Sequence, residues 1–246
     1  MSFFSRIINL ENRKDRWSMM KNSYLNINSL NFERFDAVKI TSNDIAEIHL
    51  SPRARADFLS GTRLQHQAIS GLGAIGCALS HIKVWQDFLT LSKNEFALVL
   101  EDDLNPNHSK FIHKSLKIFL NNPSDIFLLG WCGNINRVDL NSKIKIFPSS
   151  KGFVGAQAYV LNRKAAQILL THVYPIEMQI DYSIQAIADK FNLRVGATDN
   201  SLCIKQVFTG SNVFTLCFFC EPTYIYATIG ALLSLLIYIA CVKIKM

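Results

Sequence analysis

The sequence predicts an α/β fold with a mostly parallel central sheet, followed by one C-terminal transmembrane helix. Two patterns predict the sheet. Apolar runs of strand length alternate with stretches of helical period, the order that builds a sheet covered on both faces. Residues 96–104, FALVLEDDL, set five consecutive apolar side chains before three carboxylates. That is the pattern of a strand buried on both faces whose end leaves the core. The third pattern is residues 224–242, YIYATIGALLSLLIYIACV, which carry no formal charge and approach the roughly 20 residues needed to cross a bilayer.

The elements follow in order. Residues 4–10 are a short apolar strand and 14–25 a polar-apolar helical stretch. Residues 32–38 form a second strand with Glu33 and Arg34 inside it. Residues 41–70 are polar, with Pro52 near the middle and little strand character. The glycine-rich GLGAIG at 71–76 leads into a helix over 77–91, with Leu79, Ile82, Phe88 and Leu89 on its apolar face. After the acidic strand come a helix at 110–120, a buried strand DIFLLG at 125–130, and strands at 143–147 and 156–161. Helices at 163–172 and 182–191 complete the pattern.

At 246 residues the chain suits one domain with an appendage. We divide it into a globular domain over 1–213, a juxtamembrane segment over 214–223, the span over 224–242 and a short basic tail over 243–246. Apolar residues make up 49% and the mean hydropathy is +0.15, with the excess concentrated in the span. The opening MSFFSRIINL is too soon polar for a secretory signal. Cys77, Cys132 and Cys203 show no disulfide framework spacing, which favours the cytosol. The expectation is a single-pass membrane protein anchored at its C-terminus, with its domain in the cytosol. A net charge of +7 suits an anionic partner, but no Lys/Arg block or RNA-recognition signature is present. A membrane face or a nucleotide diphosphate explains the charge, and no nucleic acid partner is expected.

Three carboxylates leaving a sheet together repel one another unless a cation or donors balance them. Ligands of open α/β sheets bind at the carboxyl ends of strands. Hard divalent ions take carboxylate oxygens there and keep positions for substrate phosphates. Continued strand geometry sends Glu101 and Asp103 to one side and Asp102 to the other. These residues mark a metal and phosphate site.

Further motifs narrow that reading. INLENRKDR at 8–16, FERFDAV at 32–38, GAIGCALSH at 73–81, ALVLEDD at 97–103 and GAQAYVL at 155–161 occur in that order. Together they resemble glycosyltransferase family 25, the lipooligosaccharide-type galactosyltransferases related to collagen galactosyltransferase domains. The resemblance runs from residue 5 to about 210, and Gln206 also looks familial. It implies a GT-A-like nucleotide-sugar-binding fold, a nucleotide-sugar donor (usually a UDP-hexose) and inversion at the transferred carbon.

Inversion needs a general base for the acceptor hydroxyl, and a departing diphosphate needs its charge neutralised, which Mn²⁺ or Mg²⁺ held by carboxylates can do. Asp103 is the favoured metal ligand, with Glu101 beside it. Asp102 would face the ribose or donor sugar. Asn9 and Arg13, with Arg16 behind them, would receive the nucleotide after the first strand. Gly76 would let the donor approach a helix start, and His81 joins the catalytic set through the Ser80-His81 pair. Gln157 would touch a sugar. Asp181 is the candidate base, with Glu177 and Asp199 as substitutes, although an Asp before a helix is also a natural cap. Trp131 could stack on a sugar or lie in the core; Cys77 reads as core.

The expected function is therefore a membrane-anchored inverting glycosyltransferase moving a hexose, galactose or glucose, to a hydroxyl on a glycan, lipid or protein. The alternative is a catalytically silent, membrane-tethered relative that binds without turnover. A metal-dependent phosphotransferase or nuclease would want a second dense acidic cluster, which the sequence lacks.

Overall fold

The structure is a computed structural model that describes residues 2–25, 27, 30–61, 65–133, 145–147, 153–199 and 201–207. Its frame is a seven-stranded sheet of β1 (Phe3–Asn9), β2 (Glu33–Asp36), β3 (Phe96–Glu101), β4 (Ile126–Gly133), β5 (Lys145–Phe147), β6 (Phe153–Asn162) and β7 (Val195–Ala197). The spatial order is β2-β1-β3-β6-β4-β7-β5. β1 pairs in parallel with β2 and β3, and β4 with β7, whereas β6 is antiparallel to both β3 and β4 and β5 to β7. Five strands thus run one way. The sheet is mixed but mostly parallel in direction. The reversal of β6 has a consequence for the site: its first residues reach the edge where β1, β3 and β4 end.

The strands that read as continuous apolar runs are buried on both faces. Along β3, Ala97 and Val99 join the core beneath α3 (Leu72–Leu91), α5 (Arg163–His172) and α6 (Ile180–Lys190). Phe96, Leu98 and Leu100 join the core beneath α4 (Ile112–Asn121) and the first helix, α1 (Lys14–Met20). Alternation of side chains with period two sorts them. Ring packing of Phe119 on Phe96, with centroids 5.0 Å apart and edge-on, is the favoured geometry of an aromatic pair.

Several boundaries differ from expectation. α1 passes directly into a π-helical turn, Lys21–Leu25. α3 begins at Leu72, not 77, so Gly73 and Gly76 lie inside it. The close approach explains Gly76: a Cβ there would sit 2.6 Å from the Val38 carbonyl oxygen. Ser80 completes the clamp, accepting from Val38 N at 2.8 Å and donating to the Gly76 carbonyl at 2.6 Å. The polar segment 41–70 contains a helix, α2 (Pro52–Ser60). Ser51 caps it by accepting from Ala54 N, Pro52 opens it, and Gly61 closes it at φ 64°. Each is the residue type its position favours.

The expected membrane span at 224–242 and the domain boundary at 213 lie outside the described residues. Among the described residues, no helix is long and apolar enough to cross a membrane.

Candidate active site

Two strand ends and the middle of a third strand meet at one edge of the sheet. Asn9 closes β1, Glu101 closes β3, and Gln157 lies one residue beyond the Leu100–Ala158 pair of the β3–β6 ladder. The acidic turn Glu101-Asp102-Asp103 sits between them. A strip of residues 198–199 and 201–207 crosses the same edge, joined by Thr198 N to Leu128 O at 3.0 Å and Ile204 N to Leu129 O at 2.7 Å. It is also tied to the turn itself, by Asn105 N to Lys205 O and Val207 N to Asp103 O, both at 2.8 Å.

The alternation read from sequence holds through the turn. Asp102 points to β1 and α1, where Asn9 Nδ2 donates to Oδ2 at 2.6 Å and Arg16 Nη1 donates to Oδ1 at 2.9 Å. Arg34 Nε donates to Asn9 Oδ1 at 2.9 Å and fixes the orientation of that amide. Glu101 and Asp103 share another neighbour, Gln206, whose Nε2 lies 3.1 Å from Glu101 Oε2 and 3.1 Å from Asp103 Oδ1. Both neighbours are acceptors, so the amide must present its nitrogen. A partially positive NH₂ group thus stands between two carboxylates, where a cation would be most attracted.

Asp103 is the least balanced of the three. Burial, and then the charge of Glu101, push its carboxyl up to about 7, against the opposing pull of Arg16. Arg16 Nη1 is 3.7 Å from Asp103 Oδ2. An acid that is costly to ionise in place gains most from a divalent ion, so hard oxygen donors here fit Mg²⁺ or Mn²⁺.

Glu101 is held from the other side by a buried chain. Trp85 Nε1 donates to Tyr159 Oη at 2.8 Å, Tyr159 Oη lies 2.9 Å from His81 Nδ1, and His81 Nε2 lies 3.2 Å from Glu101 Oε1. A carboxylate only accepts, so a neutral His81 carries its proton on Nε2 and takes the Tyr159 hydroxyl proton at Nδ1. His81 is fully buried and has both ring nitrogens engaged. Its contact with the acidic turn is through Glu101, whose carboxylate it positions. Cys77, one turn earlier on α3, places Sγ 3.9 Å from Glu101 Oε1.

Other expected residues fall at varied distances from this centre. Arg13 precedes α1 and forks onto Asp15, at 3.0 and 2.8 Å. Gly76 meets the Val38 backbone rather than open space. Gln157 is buried, and its Nε2 finds no hydrogen-bond partner among the described residues. Asp181 lies in the first turn of α6, where its Oδ1 accepts from Tyr182 N at 2.9 Å. Its charge is felt at the Cys77 thiol, which puts it on the His81 side of the turn. Of its substitutes, Glu177 is exposed and Asp199 caps the turn at Ser201 and Leu202. Trp131 is core, donating from Nε1 to Thr198 O at 3.0 Å.

Sequence reasoning missed Tyr159 and Trp85 as parts of the site and gave Arg16 too small a role. Helical spacing could have found Trp85, which is four residues after His81 and so shares its face.

The geometry agrees with the family comparison. The model of "Glycosyltransferase family 25 (LPS biosynthesis protein)" matches residues 4–184. The chain belongs to glycosyltransferase family 25. The family match takes in every residue named above except those of the strip that carries Gln206. Among curated relatives, a protein of Acanthamoeba polyphaga mimivirus named "Putative glycosyltransferase R655" is 30% identical over 65% of this chain and 50% of its own length. A "Glycosyltransferase 25 family member" of Drosophila pseudoobscura pseudoobscura is 34% identical over 40% of this chain and 15% of its own. The chain thus spans half the length of the first and far less of the second. Among solved structures, UDP-glucose pyrophosphorylase complexed with UDP-glucose has a TM-score of 0.45 at 10% identity, covering 84% of this chain and 92% of the other. A197 from STIV has a TM-score of 0.41 at 10% identity, covering 80% and 81%. Scores at that level carry no argument about the ligands of this family 25 chain.

Proposed function

We propose that this chain is a metal-dependent, inverting glycosyltransferase with a GT-A-like active site. It moves a hexose, galactose or glucose, from a UDP-sugar to an acceptor hydroxyl on a glycan, lipid or protein. The observation that carries this reading is the Glu101–Asp103 pair at the end of β3, bridged by the Gln206 amide, where burial and the Glu101 charge keep Asp103 from ionising readily. Membership of family 25 supplies the class of reaction.

In this reading Glu101 and Asp103 hold Mn²⁺ or Mg²⁺, which when bound neutralises the charge of the departing diphosphate. Gln206 would have to give up its place between the two carboxylates for an ion to be held there. Asp102, locked by Asn9 and Arg16, faces the other side and orients the ribose or donor sugar. Arg13 flanks the diphosphate. The unpaired Nε2 of Gln157 donates to a sugar hydroxyl, since a buried amide without a partner is costly until a ligand supplies one. Asp181 takes the acceptor proton. Residues 224–242 anchor the cytosolic domain to a membrane.

The test is UDP release by the full chain in detergent with UDP-galactose or UDP-glucose and Mn²⁺, over a panel of acceptors. Turnover that is lost in Asp103→Ala, with the fold retained by circular dichroism, supports the reading. Absence of UDP with any donor and metal overturns it.

A further inference from the structure

Glu101 also belongs to a second group of ligand atoms, set on the opposite side from Asp103. Cys77 and His81, spaced i and i+4 on α3, share one helix face and meet Glu101 at the end of β3. Sγ, a ring nitrogen and a carboxylate oxygen all lie within 4.8 Å of one another. The closest approaches are 3.2 Å from His81 Nε2 to Glu101 Oε1 and 3.9 Å from Cys77 Sγ to the same oxygen. Bond lengths of about 2.0–2.3 Å give a tetrahedral zinc site edges of roughly 3.3–3.7 Å. Small side-chain shifts bring the three atoms to that spacing.

The donor chemistry differs from that of the acidic turn. Oxygen-only sites suit Mg²⁺ and Mn²⁺, whereas thiolate and imidazole favour Zn²⁺ and similar borderline ions. Three protein ligands leave the fourth tetrahedral position open. Outer support is already in place, because Tyr159 Oη, held by Trp85, lies 2.9 Å from the other ring nitrogen of His81. Such a partner orients a ligating imidazole. Cys77 is only partly buried, which leaves a way in from the surface.

We propose that Cys77, His81 and Glu101 form an inhibitory site for Zn²⁺ or a like borderline divalent ion. A cation bound there takes up the charge of Glu101 through Oε1 and repels a second cation beside Asp103, which weakens the oxygen site. The Cys77 thiol gives its proton to solvent as the sulfur–metal bond forms. The His81 ring proton moves from Nε2 to Nδ1, where it is donated to Tyr159 Oη. Inhibition rests on the transferase reading above; metal binding does not.

Cobalt separates the two. Full-length chain in detergent, titrated with Co²⁺, should develop a thiolate-to-cobalt charge-transfer band in the near ultraviolet. Cys77→Ser should abolish that band, and His81→Asn should weaken Co²⁺ binding at least tenfold. No band, or a band that persists in Cys77→Ser, overturns the site whether or not the protein turns over. With Mn²⁺-supported UDP release as the second readout, Zn²⁺ should inhibit the wild type. In Cys77→Ser the half-inhibiting Zn²⁺ concentration should rise at least tenfold at an unchanged uninhibited rate. Equal inhibition of both proteins overturns the proposal even if the transferase is active.

Discussion

The Arg16 guanidinium closes on the Asp102 carboxylate at 2.9 Å, with both side chains about nine-tenths buried. Breaking a buried pair by removing one partner leaves an uncompensated charge, at a cost of about 3–5 kcal/mol. Asn9 remains as one donor, so Arg16→Ala should lie near the lower figure. Urea unfolding of the two proteins measures it. A loss under ~1 kcal/mol would mean that water replaces the guanidinium and that Asp102 is not locked.

Tyr159 is the middle of the chain that positions Glu101. Tyr159→Phe keeps the ring and deletes the hydroxyl, leaving Trp85 Nε1–H and His81 Nδ1 without their partner. Unsatisfied buried polar groups cost ~1–3 kcal/mol. Nitrogen NMR of the imidazole should report a proton on Nε2, facing Glu101, for His81 in the wild type and a changed signal in the variant. An unchanged signal together with an unchanged melting temperature would contradict the chain of bonds.

The pH dependence of Asp103 has a definite sign. Burial and Glu101 push its carboxyl up from 3.8 to about 7. The folded state therefore keeps a proton that the unfolded chain gives up near pH 4. The stability this contributes is full below about pH 4 and is lost as pH rises towards 7. In EDTA, the melting temperature of the wild type should fall relative to Asp103→Asn across that window. A constant difference between the two proteins from pH 4 to 8 would remove the basis for the shift.

Gly76 inside α3 and Gly71 just before its first residue make an internal control. Gly76→Ala drives a methyl to within 2.6 Å of the Val38 backbone oxygen, whereas Gly71→Ala meets nothing within 4 Å. Overpacking of this kind costs about 1–3 kcal/mol, part of which the better helix propensity of alanine offsets. Gly76→Ala should still unfold at lower urea than Gly71→Ala; the reverse order would mean that residues 37–40 move aside freely.

Much of this was readable in the chain because local pattern carries it. The apolar run of β3 announced its own burial, and strand alternation alone separated Asp102 from Glu101 and Asp103. Helix α5 was found with its bounds, since Asn162 caps it and a clear apolar period follows. The reversal of β6 was not legible, because a strand buried on both faces reads the same in either direction. The short β7 held too few residues to stand out. Helix α2 was overlooked in a polar stretch, although Ser51-Pro52 and Gly61 mark its ends. The support of the site was the least visible part. Asp102 to Asn9, His81 to Tyr159 and Glu101 to Gln206 are contacts across 93, 78 and 105 residues, and no local rule links positions so far apart.

Those separations also set a schedule. At roughly 5–20 residues per second of synthesis, Glu101 leaves the ribosome some 5–20 s before Gln206, the residue 105 positions later that bridges it to Asp103. Throughout that interval the nascent chain carries its acidic turn without the amide that spans it. The candidate centre thus stays open on one side until residue 206 has been made, long after the strands that carry its carboxylates.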